Sequence, residues 1–174
     1  MTHQLLVLAA SNGENLALAE RFAASARQQG LEAEMLDLTA LALPLYTPRA
    51  QQAGMPEGLD SLGRQLAAAS HWVICAPEYN GSIPPVLTSA IAWLSVQGKD
   101  FRALFNCRPV VIATHSGSGG ASVLTALRLQ LAYLGAHVVG RQLISNKNAP
   151  AKDSSIDDLI TRLRQLPAPT IAGT

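Results

Sequence analysis

The sequence predicts an α/β fold: a five-stranded parallel sheet in the order 2-1-3-4-5, with helices on both faces. Three observations carry this. Apolar runs of strand length alternate with stretches of helical spacing along the chain. The runs at 5–10, 73–76 and 109–114 are almost continuously apolar, as in strands buried on both faces. Each is followed by a cluster of turn-forming residues, at 11–15, 77–82 and 115–120.

The elements follow in order. The first strand spans 5–10. A helix from 16 to about 29 shows Leu16, Ala19, Phe22, Ala23 and Ala26 at helical spacing, and Gly30 stops it. Residues 32–38 alternate, as a strand at or near a sheet edge does. Residues 41–57 carry Pro44, Pro48, Pro56 and Gly54 and read as a long surface loop, in which Tyr46 and Arg49 face either a ligand or a neighbouring chain. A helix at 59–70 leads into the third strand, 73–76. After the 77–82 loop, Pro84 and Pro85 open a helix over 86–96. Residues 97–108 are irregular. The fourth strand, 109–114, and the third loop precede a helix at 121–134 with Leu124, Leu127, Leu131 and Leu134 on one side. Gly135 ends that helix, and 137–139 form a short fifth strand. Asp153 or Ser154 caps a last helix to about 166, and a tail follows from about 167.

The 174 residues suit one domain, 1–174, with a substantial core. A net charge of +1, with no long run of like charges, predicts no grip on nucleic acid or membranes. Cys75 and Cys107 are in no metal-ligand spacing; Cys75 sits in an apolar run and reads as an inert core thiol. No metal site is expected. The chain has no positively charged leader and no apolar run long enough to cross a membrane, so a soluble cytoplasmic protein is expected.

In this strand order the three loops lie on one edge of the sheet and meet at the switch point between strands 1 and 3. The first, with Ser11, Asn12, Gly13 and Asn15 before Leu16, opens a helix. Its amides and side chains suit a phosphate, although a plain helix-capping turn has the same composition. It has neither the Gly-Lys-Ser/Thr of a P-loop nor the spacing of a dinucleotide fingerprint. In the second, Tyr79 can stack on a flat ligand and the Asn80 and Gly81 amides can donate to it; a turn with a packed tyrosine is the bland alternative. The third, His115 followed by Ser116, Gly117, Ser118 and Gly119, lets backbone approach a ring, and a solvated loop histidine is its alternative. Together the loops suit a mononucleotide with a planar ring, such as flavin mononucleotide (FMN). A serine hydrolase using Ser82 or Ser118 with His115 is disfavoured, because no nucleophile-elbow motif is present.

The stretch Pro77-Glu78-Tyr79-Asn80-Gly81-Ser82-Ile83-Pro84, continuing through Val86-Leu87, Ala90-Ile91 and Trp93-Leu94-Ser95, resembles the signature of the NADPH-dependent FMN reductase family. The resemblance extends to Ser116-Gly117, Gly119-Gly120, Ala126-Leu127-Arg128 and Leu134-Gly135-Ala136. It implies a flavodoxin-like three-layer sandwich. It also implies FMN as cofactor, NADPH or NADH as electron donor, and hydride transfer to a quinone, free flavin or similar small-molecule acceptor. Pro77, Glu78, Tyr79, Asn80 and Gly81 would flank the ring. Ser116, Gly117 and Gly119, with His115 beside them, would line its pyrimidine side, and Ser11 and Asn15 would hold the phosphate. No catalytic acid or base is required of the side chains. A homodimer or homotetramer is implied, with Ile91, Trp93 and Leu94 at the contact or in the core. The first loop departs from the family: it is short, lacks an arginine and carries Glu14. The alternatives are a flavodoxin-like electron carrier and a flavin-free interaction domain.

Overall fold

A computed structural model of the chain describes residues 4–117 and 119–169. The strands are β1 (Gln4–Ala9), β2 (Glu32–Asp37), β3 (His71–Cys75), β4 (Pro109–His115), β5 (His137–Val138) and β6 (Leu143–Ser145). The helices are α1 (Glu14–Gln28), α2 (Pro48–Ala53), α3 (Leu59–Ala68), α4 (Pro85–Ser95), α5 (Ala121–Tyr133) and α6 (Asp153–Arg164). The sheet runs β2-β1-β3-β4-β5, and all its pairings are parallel. Beyond β4 two short strands share the edge: β5 pairs its beginning and β6 its end, from Ala113–Leu143 to His115–Ser145. The fifth position expected from 137–139 is thus filled in two pieces. The second piece is too short to announce itself in the sequence.

The continuous apolar runs are explained by two cores, one on each face of the sheet. Leu5, Val7, Ala9, Val73, Cys75, Val111 and Ala113 face α1 and α6, meeting Phe22, Leu18, Ile156 and Ile160. Leu6, Leu8, Trp72, Ile74, Val110 and Ile112 face α3, α4 and α5, meeting Leu62, Trp93, Leu124 and Leu127. Alternate residues along one strand therefore enter opposite cores, and neither face can be polar. Edge strand β2 alternates in burial, as its sequence does.

Three expectations change. Residues 41–57 contain helix α2, with Pro48 in its first turn and the Thr47 hydroxyl accepting from the Ala50 N–H at 3.0 Å. Tyr46 is strapped to α4: its N–H donates to Ser89 Oγ at 2.8 Å, its ring meets Trp93 edge-on at 5.2 Å, and Trp93 Nε1 donates to the Pro44 carbonyl at 2.8 Å. Helix α6 is preceded by Lys152 and has no side-chain cap; Asp153 lies in its first turn and pairs with Arg21 at 2.5 Å. Ile91, Trp93 and Leu94 are buried within this chain, so they pack the core and offer no surface to a second subunit.

Candidate functional site

The parallel register brings the carboxyl ends of β1, β3 and β4 together. The Ala10 N–H donates to the Cys75 carbonyl at 2.9 Å, and the Ala76 N–H to the Ala113 carbonyl at 3.0 Å. The three loops that leave these ends therefore share one rim, as the strand order requires.

In the first loop Ser11 is half-buried, while Asn12 and Gly13 are exposed. Gly13 is the N-cap of α1. Its carbonyl accepts from the Leu16 and Ala17 N–H groups at 2.9 and 3.1 Å, and no side chain caps the helix. The first amides of α1, with the partial positive charge of the helix end, are thus left to solvent or a ligand. Glu14 is exposed in the first turn. Asn15 is different from its neighbours: it is buried, and its side chain is bonded to the backbone of His115. Leu16 is half-buried and uses its amide in the cap.

The second loop is a tight hairpin. Tyr79 and Ser82 exchange both backbone hydrogen bonds, at 3.1 and 3.0 Å. Between them Asn80 and Gly81 both have positive φ, 52° and 71°. Two such residues in a two-residue loop make a type I′ turn, for which Asn-Gly is the favoured pair. The Asn80 and Gly81 amides lie outside the hairpin's own bonds. Tyr79 is about half exposed, Pro77 is buried and Pro84 leads into α4.

In the third loop Ser116 is buried, and Gly117 and Gly119 are exposed. Ser118 lies outside the described residues. The Ser116 N–H donates to the Ser145 carbonyl at 3.0 Å, and Ser145 Oγ lies 3.2 Å from His115 Nδ1. Gly120 begins α5 at φ 77°; a Cβ there would lie 2.5 Å from Thr114 Cγ2, so only glycine fits. The Glu78 carboxylate crosses from the second loop and accepts the Val123 N–H at 3.1 Å, serving as the missing cap of α5. The N-termini of α1 and α5 thus differ: a carboxylate accepts a backbone N–H of α5, whereas no side chain caps α1.

A flat phosphorylated ligand fits these groups. A Cβ built on Gly13, Gly81, Gly117 or Gly119 would meet nothing within 4 Å, so the rim is open where a ring would lie, and the uncapped α1 suits the phosphate. No cluster of metal-ligating side chains occurs among the described residues. Ser82 belongs to the hairpin, and the serine bonded to the His115 ring is the buried Ser145, which is no accessible nucleophile. Ser145 had no signal in the sequence, because its strand has three residues. Burial pushes the Cys75 thiol far above its ordinary value, in keeping with an inert core thiol. Among the described residues no helix is long and apolar enough to cross a membrane.

A quinone reductase from Escherichia coli K12 is 37% identical over 123 residues, a match taking in 66% of this chain and 64% of that protein's length. An NAD(P)H-dependent FMN reductase from Pseudomonas aeruginosa is 29% identical over 142 residues, covering 78% of this chain and 74% of its own. The structure of FerB, a flavoenzyme NAD(P)H:(acceptor) oxidoreductase from Paracoccus denitrificans, superimposes with a TM-score of 0.75 at 17% identity, covering 95% of this chain and 99% of that one, and so shares the fold. The family model described as NADPH-dependent FMN reductase matches residues 4–150, and with that match the chain belongs to the NADPH-dependent FMN reductase family.

Proposed function

We propose that this protein is an FMN-dependent NAD(P)H oxidoreductase, passing hydride from NADPH or NADH by way of bound FMN to a quinone, free flavin or similar small-molecule acceptor. The observation that carries this reading is the shared rim: an uncapped helix end, a stacking hairpin and an open glycine loop lie side by side. The FMN, when bound, supplies the hydride chemistry, and the protein supplies binding, orientation and electrostatics. Ser11, Asn12, Gly13 and the first α1 amides hold the phosphate. Tyr79 covers the ring, with Pro77 and Glu78 setting the hairpin's base. The Asn80 and Gly81 amides, with those of Gly117 and Gly119, donate toward the ring's polar edge, while Ser116, bonded to the Ser145 carbonyl, anchors that loop beneath them. Fixed donors there favour the negative charge that reduction places on the ring, as donors do in an oxyanion hole. No side chain is needed as acid or base.

The same reading makes the chain one domain, working in the cytoplasm as a homodimer or homotetramer. The relatives' names support a quinone or a flavin as acceptor, and the chain covers less than two thirds of the quinone reductase it resembles. The test is direct. The purified protein, mixed with FMN, is expected to show the absorption of bound flavin and to oxidise NADPH or NADH rapidly when a quinone is added. Bound flavin without NAD(P)H oxidation would indicate an electron carrier. No flavin binding at all would indicate an interaction domain.

A further inference from the structure

Asn15 stands on α1, two residues past the N-cap, and is only 2% exposed. Its side-chain amide makes two hydrogen bonds to one residue of a different loop. Nδ2 donates to the His115 carbonyl at 3.0 Å, and the His115 N–H donates to Oδ1 at 2.8 Å. Two neighbouring strands recognise each other through the same donor–acceptor pair; here a side chain takes the place of one strand. His115 ends β4 and begins the third loop. From its other side β6 holds it as well, through Ser145 Oγ on Nδ1 and through the Ser116 N–H on the Ser145 carbonyl. Ser145 Oγ is itself fixed, accepting from the Ala151 N–H at 3.0 Å.

We propose that the side chain of Asn15 positions the ring-binding loop and makes no contact with the phosphate. Its burial leaves no surface for an anion, and both atoms of its amide are engaged. In a buried site those bonds are costly to give up, because separating them leaves an amide and a peptide group unpaired. The inference rests on the FMN reading and deepens it. The helix turn whose backbone faces the phosphate carries on its inner side the bolt that holds the loop facing the ring. The two halves of the site are thereby joined by one residue.

The experiment uses riboflavin, which has the ring without the phosphate. FMN and riboflavin are titrated by flavin fluorescence against wild type, Asn15→Ala and Asn15→Asp, at a temperature where circular dichroism shows each protein folded. Loss of stability alone then moves neither affinity. For Asn15→Ala both ligands are expected to weaken by a similar factor, roughly tenfold, with the ratio of the two affinities kept within about threefold. Loss of FMN affinity with riboflavin unchanged would make Asn15 a phosphate ligand and overturn the proposal. So would two unchanged affinities. Asn15→Asp keeps the acceptor for the His115 N–H and loses the donor to its carbonyl. It serves if the alanine variant does not fold: riboflavin, which is uncharged, is expected to weaken in it, and an unchanged riboflavin affinity overturns the proposal. A wild type that binds neither flavin defeats the FMN reading itself, and does so before any variant is made.

Discussion

On the proposed reading Tyr79 serves the ring and Glu14 lies beside the phosphate, and each gives a measurable expectation. Tyr79 is 48% exposed and packs little of the fold. Its replacement by alanine is expected to leave the melting temperature nearly unchanged. It should weaken FMN and riboflavin alike by roughly tenfold, the value of about 1–1.5 kcal/mol of ring stacking. An unaltered fluorescence titration would remove Tyr79 from the ring site. Glu14 lies in the first turn of α1, where a carboxylate is favourable to the helix but competes with a phosphate for the same amides. Glu14→Gln is expected to tighten FMN about two- to threefold, the modest size reflecting solvent screening, with riboflavin unmoved. Equal effects on both flavins would place the carboxylate away from the phosphate. The sequence showed Glu14 as an odd residue for a phosphate loop, because charge is legible residue by residue. It did not show that the side chain of Asn15 turns inward. Its partner lies 100 positions away, and a side chain bonded to a distant backbone has no periodicity or spacing to betray it.

Among the elements, the helices and long strands were legible and the short pieces were not. The boundaries of α1, α4 and α5 fall within about two residues of those expected from apolar spacing and from Gly30, Pro85 and Gly135. Helix α2 was hidden by its own start signal. Thr47 and Pro48 are a cap and a first-turn proline, but with Pro44 and Pro56 nearby the same residues also read as loop. At the far end, α6 is tied to the β5–β6 connection by Asp158, which meets Arg141 Nη1 at 2.5 Å and Arg162 Nε at 2.8 Å. The hydrogen bond from Arg162, with that from Arg141, holds the Asp158 carboxyl below the ordinary carboxylate range, against a smaller opposing effect of burial. A carboxylate depressed on folding stabilises the native state above its unfolded value and ceases to do so as pH falls through its folded value. Asp158→Asn is therefore expected to melt slightly below wild type at pH 7, and the gap should close in melts taken stepwise below about pH 4. A gap that persists unchanged through that acid range would mean the ion pairs are not its source.

For the molecule as a whole, the topology followed from composition because both faces of the sheet are covered. Continuous apolar runs have no other economical explanation in a chain of this size, and once the strands run in parallel the three loops must meet. The same patterning left Ile91, Trp93 and Leu94 open between the core and a subunit contact. The helix after the hairpin is apolar nearly all round, and a sequence does not say which apolar residues a chain keeps for itself. Ile91, Trp93 and Leu94 are kept. Large apolar side chains do remain exposed, among them Leu45 and Met55 before α3 and Leu129 and Tyr133 on α5. Sedimentation equilibrium is expected to find more than one subunit. Should it do so, Leu129→Lys, which touches none of the flavin rim, will show whether α5 forms the contact.

The two thiols have a use beyond their chemistry. Cys75 is sealed in the core, while Cys107 is exposed two residues before β4 begins, at the end of the sheet opposite the rim. A maleimide dye would therefore attach at one known point without any mutation. Strand β4, seven residues from Pro109 to His115, spans about 20 Å between that end and the rim, so the dye and a flavin on the rim would stand at least that far apart. The wild-type protein thus carries its own molecular ruler. Energy transfer from flavin emission to the dye is expected to report that span or more, and a markedly shorter value would mean the flavin lies somewhere other than on the rim.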